Sequence, residues 1–234
     1  MAGLIELGTL SVEDEARLAA ALAAASLACF PTDTVYGVGG RLSAEVAQAI
    51  VRVKDREPDK PLQVVFPSIA LLLETTPLGA TLRAAVERLL PGPFTLVVPY
   101  PPGLDCPPPG RLVTPGGRTL ETLGVRVPDW PARMAAMGRL PFPLLASSAN
   151  PSGGADAGRL DDVEPAVRAA CDLLLDGGPT GGVSSTVLDL TGLEDGLGWR
   201  VLRRGAAGDD EIAARLGDDV AGRSGSKRKD GERR

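Results

Sequence analysis

Four short polar segments hold the residue types that could do chemistry, and each has a purely structural alternative. The first runs Phe30-Pro31-Thr32-Asp33-Thr34-Val35-Tyr36-Gly37-Val38-Gly39-Gly40. In an extended chain Thr32, Thr34 and Tyr36 fall at period two and line one wall with hydroxyls, and the glycines let a ligand approach the backbone. A strand of good β-formers entering a glycine turn gives the same pattern. The second, Lys54-Asp55-Arg56-Glu57-Pro58-Asp59-Lys60-Pro61-Leu62, offers a polyphosphate one planar fork, from Arg56, and two point charges, from Lys54 and Lys60. Its acids describe a solvated charge cluster equally well, with Lys54 capping a helix carboxyl end. The third, Thr122-Leu123-Gly124-Val125-Arg126-Val127-Pro128, sets an arginine in an apolar strand. That is costly unless the arginine faces water or a carboxylate, which can belong to a ligand or to a buried structural partner. In the fourth, Ala146-Ser147-Ser148-Ala149-Asn150-Pro151-Ser152-Gly153, a strand ends in a polar turn. Ser148 and Asn150 share a face there, and a capping turn is the alternative.

What the chain lacks narrows the chemistry. It contains no histidine, which removes Ser-His and Cys-His nucleophile pairs, histidine bases and histidine metal ligands together. Any reaction must run on positioning, charge and backbone dipoles, or on carboxylates and lysines. Cys29, Cys106 and Cys171 are scattered and odd in number, which argues against a disulfide framework or a zinc site, and no metal-ligating set is read from the sequence. The whole chain carries −5, while residues 222–234 hold six basic and two acidic residues, +4, so the preceding body carries −9. An acidic body argues against a broad nucleic-acid surface and makes a basic cluster within it more informative. No apolar run approaches the ~20 residues of a membrane span. The start, with Glu6, Glu13 and Asp14, does not read as a secretory leader, so a cytoplasmic protein without membrane contact is expected.

The elements that must hold these segments follow from apolar periodicity. Ser11 can cap a helix to about Ala25 with Leu18 and Leu22 on one face, and Leu27–Phe30 reads as a buried strand. Ser43 can cap a second helix, whose Val46, Ala49, Ile50 and Val53 have amphipathic spacing. A third carries Leu82, Ala85, Val86 and Leu89 at the same spacing and stops at Pro91-Gly92-Pro93. Further strands are expected at Leu62–Phe66, Phe94–Tyr100, Leu123–Val127, Leu144–Ala146, Asp172–Leu175, Thr186–Leu190 and Trp199–Leu202, and helices near Trp130–Met137 and Asp161–Ala170. Pro101–Arg118, rich in proline and glycine, reads as one long loop of the kind that is often functional. The alternation predicts a single α/β domain, assigned to residues 1–208, then a helix or extension over 209–221 and a disordered basic tail over 222–234.

Taken in order, the segments resemble the YrdC-like family of threonylcarbamoyl-AMP synthases. The matching positions are Pro31–Gly37, Lys54 and Arg56, Thr122 and Arg126, Ser148-Ala149-Asn150, Ser185-Thr186, and Arg203. The resemblance spans roughly Leu18 to Gly205 and implies a twisted mixed sheet flanked by helices around a concave basic cavity. Carried over position by position, it implies that Thr34, Arg126, Ser148 and Ser185 bind threonine. Lys54, Arg56, Lys60, Thr122, Asn150 and Arg203 would then bind ATP, with Lys54 and Arg56 serving the chemical step. The implied activity is a nucleotidyltransferase of tRNA processing that joins L-threonine, bicarbonate and ATP, with Mg2+ accompanying ATP. A downstream tRNA threonylcarbamoyl transferase complex is the implied partner, and the basic tail can make a weak tRNA contact. Three positions depart from the pattern. Val65 stands where many relatives carry a substrate-side histidine, Gly158 where many carry a hydroxyl residue on ATP, and Arg204 where a proline is usual. The rival reading is an RNA- or nucleotide-binding module of the same fold without synthase activity. The reaction suits a site without histidine, because a carbamate is already an anion and needs alignment and charge neutralisation more than a strong base.

Overall fold

The computed structural model describes residues 3–8, 10–55, 62–104, 106, 110–114, 116–150 and 154–217. Eleven strands among them form one mixed sheet: β1 (Gly3–Glu6), β2 (Ala28–Phe30), β3 (Gly37–Arg41), β4 (Gln63–Val65), β5 (Phe94–Pro99), β6 (Gly110–Val113), β7 (Thr119–Arg126), β8 (Leu144–Ser148), β9 (Leu173–Asp176), β10 (Thr186–Gly192) and β11 (Gly198–Arg203). Their order is β1-β9-β2-β3-β8-β4-β7-β5-β10-β11, with β6 paired to β7. The helices are α1 (Val12–Ala24), α2 (Ala44–Lys54), α3 (Ile69–Thr75), α4 (Ala80–Leu89), α5 (Pro165–Ala169) and α6 (Asp209–Leu216).

The helix starts follow from capping chemistry. Ser11 Oγ accepts from Asp14 N, Ser43 Oγ from Val46 N and Ser68 Oγ from Leu71 N, each relieving an orphan donor of a first turn. Glu13, Asp14 and Glu15 put negative charge at the positive end of α1. The sheet separates two apolar clusters. Alternate strand residues such as Val38, Val64, Val125, Leu145 and Leu188 pack with the apolar sides of α2, α4 and α6. Leu18 and Leu22 of α1 pack with Phe30, Val65, Met137 and Leu144 in the second cluster.

Strand alternation then decides what is left over. Along β7 and the residue after it, Leu123, Val125 and Val127 enter the first cluster, so Thr122, Gly124 and Arg126 face the other way. The register extends that face across the sheet: Gly37 opposite Ser148, Ala146 opposite Gln63, Gln63 opposite Gly124, Gly124 opposite Val97, and Thr95 opposite Val187. This row of small, polar and β-branched residues is the floor of a cavity. Gly39 allows β3 and β8 to pair closely, since a Cβ there would lie 1.8 Å from Leu145 O.

Several sequence expectations are corrected. The Pro101–Arg118 stretch contains β6, whose Arg111-Leu112-Val113 is too short among prolines to show a period, and whose pairing comes from the first half of β7. The helix expected over Trp130–Met137 is two 3-10 turns, Ala132–Met134 and Met137–Arg139, with Gly138 packed under Trp130. The helix expected over Asp161–Ala170 breaks at Pro165 into a 3-10 turn and α5, because proline cannot continue the preceding turn. The Pro31–Tyr36 segment is not extended. It is a tight reversal between the antiparallel strands β2 and β3, in which Thr32 Oγ1 accepts from Thr34 N and Val35 N. Helix α6 falls within the stretch assigned to a C-terminal helix, while residues 218–234, including the basic tail, lie outside the described residues.

Candidate functional site

Above that floor lies a cavity of about 540 Å3. Seven of the ten residues singled out from sequence line it: Lys54, Thr122, Arg126, Ser148, Asn150, Ser185 and Arg203. Thr34 is buried and is not part of the lining. Its hydroxyl lies 3.1 Å from that of Thr32, which is. Arg56 and Lys60 lie outside the described residues. The reversal at Pro31–Tyr36 removes the expected wall of three hydroxyls. Tyr36 OH is directed away to Asp176 Oδ1 (3.1 Å) and Gly178 O (2.9 Å), and burial pushes its acidity down by raising its pKa.

Lys54 closes α2, where Asp55 takes a left-handed conformation (φ 44°) that ends the helix. The lysine does not sit in solvent as a helix cap would. It is 6% exposed, and Nζ donates to Ser147 Oγ (3.0 Å), Ser148 O (2.5 Å) and Ser148 Oγ (3.2 Å). A charged ammonium is thereby fixed beside the end of β8. Asn150 is oriented by its Nδ2, which donates to Gly154 O at 2.6 Å. At the opposite wall Ser185 Oγ lies 2.7 Å from Thr95 Oγ1, and Arg203 Nη2 donates to Ser185 O at 2.9 Å. Gly205 permits the chain after β11 to pass this point, since a Cβ would come within 2.2 Å of Ser184 O.

Arg126 answers both alternatives raised by its sequence. It is 2% exposed, it lines the cavity, and its Nη2 donates to Asp33 Oδ1 at 2.5 Å. Asp33 Oδ2 accepts from Asp129 N at 3.1 Å. Arg126 Nε has no partner among the described residues, and an orphaned buried donor costs about 1–3 kcal/mol. Burial pushes the Asp33 carboxyl above its ordinary range against the pull of Arg126. Burial also lowers the Arg126 guanidinium, against the pull of Asp33, and the positive charge of Arg203 lowers it further. In both groups burial works against the charged form while the partner's charge favours it. A second anion entering the cavity would relieve Arg126.

Sequence reasoning missed Asp33 as the partner of Arg126, Thr95 and Gln63, which hydrogen-bond at 3.0 Å, Arg111 on β6, and Asp156. Arg111 was hidden in the stretch read as a loop. Asp33 had a signal, an acid within a polar segment, but nothing local ties it to a strand 93 residues away. The lining thus gathers four cations, Lys54, Arg111, Arg126 and Arg203, with Asp156 as the carboxylate among its described members. Such a set suits carboxylate and phosphate oxygens. Among the described residues no group of three or more histidine, cysteine, aspartate or glutamate side chains could hold a metal ion. No helix among the described residues is long and apolar enough to cross a membrane.

The class is a mixed α/β sheet with a cavity, on its helix-poor face, whose basic lining suits anionic ligands. Residues 20–205 match the Sua5/YciO/YrdC family, which carries the description "Telomere recombination", and the chain belongs to that family. It is 35% identical over 176 residues to a threonylcarbamoyl-AMP synthase of Bacillus subtilis, covering 74% of this chain and 49% of that one. A putative threonylcarbamoyl-AMP synthase of Mycobacterium tuberculosis is 32% identical over 206 residues, covering 86% and 88%. The chain spans about half the length of the Bacillus subtilis and Pyrococcus abyssi relatives it matches. In structure it is similar to Pyrococcus abyssi Sua5 complexed with L-threonine, with TM-score 0.73 and 27% identity over 93% of this chain and 61% of that one.

Proposed function

We propose that this chain is an L-threonylcarbamoyladenylate synthase. It joins L-threonine, bicarbonate and ATP into threonylcarbamoyl-AMP and pyrophosphate, for threonylcarbamoyl modification of the adenosine next to the anticodon in tRNA. One observation carries the reading: seven motif residues from five separate segments converge on a single cavity. Threonylcarbamoyl-AMP synthases among the relatives support it.

The threonine carboxylate pairs with Arg126, whose buried charge is only partly offset by Asp33. The amine condenses with bicarbonate to give a carbamate and water. A carbamate oxygen attacks the α-phosphorus of ATP, the bond to the β-phosphate oxygen breaks, and pyrophosphate leaves with the electron pair. Lys54 and Arg203, with Arg56 and Lys60 assigned by resemblance, neutralise the phosphates, and Thr122 and Asn150 supply neutral donors. Thr34, Ser148 and Ser185 belong to the threonine end. Because Lys54 is already fixed by Ser147 and Ser148, its charge needs little reorganisation as negative charge shifts toward pyrophosphate. Mg2+ accompanying ATP would add charge neutralisation, and would be carried on the nucleotide because no group of carboxylates among the described residues could hold it.

A cytoplasmic location, hand-over to a tRNA threonylcarbamoyl transferase complex, and a weak tRNA contact through the net +4 of residues 222–234 complete the proposal. The test is incubation with ATP, threonine and bicarbonate, with mass detection of the mixed anhydride. Pyrophosphate release should require all three. Equal release without threonine or bicarbonate marks a plain ATPase and refutes the reading.

A further inference from the structure

Asp156 is the one carboxylate among the described residues that line the cavity, whose lining also holds four cations. It is built in rather than incidental. Oδ2 accepts from Ser184 N at 2.9 Å and from Ser184 Oγ at 2.6 Å. These bonds orient the group and leave Oδ1 without a partner among the described residues.

Its surroundings attach it to the Arg126 end. The next residue's carbonyl, Ala157 O, accepts from Tyr36 N at 2.9 Å. The strand of chain that supplies Ser184 crosses the same turn, where Gly181 N donates to Asp33 O (3.2 Å) and Gly182 N to Thr34 O (2.7 Å). Asp33 in turn holds Arg126. One reversal, Pro31–Tyr36, is therefore clamped between the segment bearing Asp156, the segment bearing Ser184 and the guanidinium of Arg126. Asp156, with one carboxylate oxygen unpartnered among the described residues, and the buried Arg126 guanidinium therefore line one cavity and are tied to one reversal.

We propose that Asp156 accepts the α-ammonium group of the amino acid whose carboxylate Arg126 holds, so that the cavity recognises a zwitterion by its two charged ends. The inference rests on the function proposed above and adds a substrate-binding residue to it. An amino acid satisfies both groups. A 2-hydroxy acid of the same skeleton satisfies Arg126 alone and leaves the oriented carboxylate facing a hydroxyl. The site thereby selects the compounds that have an amine to convert into a carbamate.

The experiment titrates L-threonine, the matching 2,3-dihydroxybutanoate and Mn-ATP into the full chain, as wild type, Asp156→Asn and Ser184→Ala. Calorimetry follows the organic ligands and electron paramagnetic resonance follows bound Mn2+. Asp156→Asn keeps the shape and removes the charge, and loss of a sheltered charge-assisted contact should weaken threonine roughly 10- to 100-fold. The hydroxy acid should bind as well as before or better, and Mn-ATP should change less than ~3-fold. Ser184→Ala keeps the backbone N–H on Oδ2 and should give a smaller loss in the same direction, which preserves the test if Asp156→Asn folds poorly. Threonine affinity unchanged within ~2-fold in both variants overturns the inference. So does a loss confined to Mn-ATP, which would make Asp156 a metal-side ligand. The function itself is read separately, from threonine- and bicarbonate-dependent pyrophosphate release by the wild type. Without that release the function falls and the inference with it. With release present and threonine affinity unchanged in the variants, only the inference falls.

Discussion

Replacing Arg126 with lysine separates the two jobs that its position combines. The side chain is 2% exposed and lies 2.5 Å from Asp33. Alanine would strand the Asp33 charge in the interior, at about 3–5 kcal/mol, a large part of a folding stability of roughly 5–15 kcal/mol. A loss of threonine binding in that variant would be inseparable from a loss of structure. Lysine keeps a counter-ion for Asp33 and gives up the planar fork. The bond to Asp33 uses Nη2 alone, so a single ammonium can replace it, whereas a bidentate grip on a ligand carboxylate cannot survive. One lost hydrogen bond to a charged group costs about 1.5–3 kcal/mol, so threonine should bind ~10- to 150-fold more weakly. ATP, placed on Lys54 and Arg203, should bind within ~3-fold of the parent. Calorimetric titration of each ligand, with a melting curve for each protein, makes the comparison. Two results would refute the reasoning: unchanged threonine affinity in a protein that melts like the parent, or equal weakening of both ligands.

Lys54→Ala should show the opposite pattern. It should lower kcat/KM for ATP about 100-fold, as expected for loss of a preorganised positive group, and weaken threonine much less in titrations, through the Ser148 hydroxyl that Lys54 holds. Gly124→Val should be tolerated by the fold, because an added Cβ meets Thr95 Cγ2 and Gln63 Cβ at 3.5 and 3.6 Å. Its methyl groups would stand on the cavity floor, so melting should hold or rise while binding of both ligands falls. Stability should also decline in alkali. Burial pushes the Cys171 thiol up to about 12 and the Cys29 thiol higher. Both folded values lie above the ~8.5 of an unfolded cysteine, so the unfolded chain releases these protons first. Stability is then full below about pH 8.5 and is lost as pH rises toward 12. Denaturant melts across that range should flatten in Cys29→Ala, and an unchanged slope would contradict the burial argument. Under native conditions a thiol-alkylating reagent should reach Cys106, the least buried of the three, ahead of the other two.

How much was legible in the sequence depended on how local the cause was. The caps at Ser11 and Ser43 act over three residues, and the apolar spacing of α1, α2 and α4 over two or three turns, so those helices could be read directly. Strand β3 could not, because Gly37-Val38-Gly39-Gly40 has no alternating side chains. It is a strand because Gly39 lets the backbone of β8 come close. Strand β6 was hidden because its pairing partner, not its composition, makes it a strand. The reversal at Pro31–Tyr36 is hidden in the sequence because Thr32, Thr34 and Tyr36 have the period of an extended strand. Yet the Thr32 hydroxyl bonds to the backbone of its own turn, a competing arrangement that threonine offers as readily as a strand.

Arg126 shows why the site was more legible than its supports. A guanidinium in an apolar strand is too costly to be accidental, so the residue stands out in sequence. What sequence cannot supply is the sign of the explanation, since a buried partner and a bound ligand leave the same trace. The structure contains the partner, and the partner is insufficient. Asp33 gives one of its oxygens to the backbone of Asp129, and Arg126 keeps an Nε unpaired among the described residues. Burial displaces both members of the pair toward their neutral forms. A purely structural ion pair gains from using both carboxylate oxygens on one fork, and this one does not. Asp33 holds the arginine in place without neutralising its surroundings, which also include the positive charge of Arg203. The remaining electrostatic demand is for an anion, and the cavity is where that anion can enter.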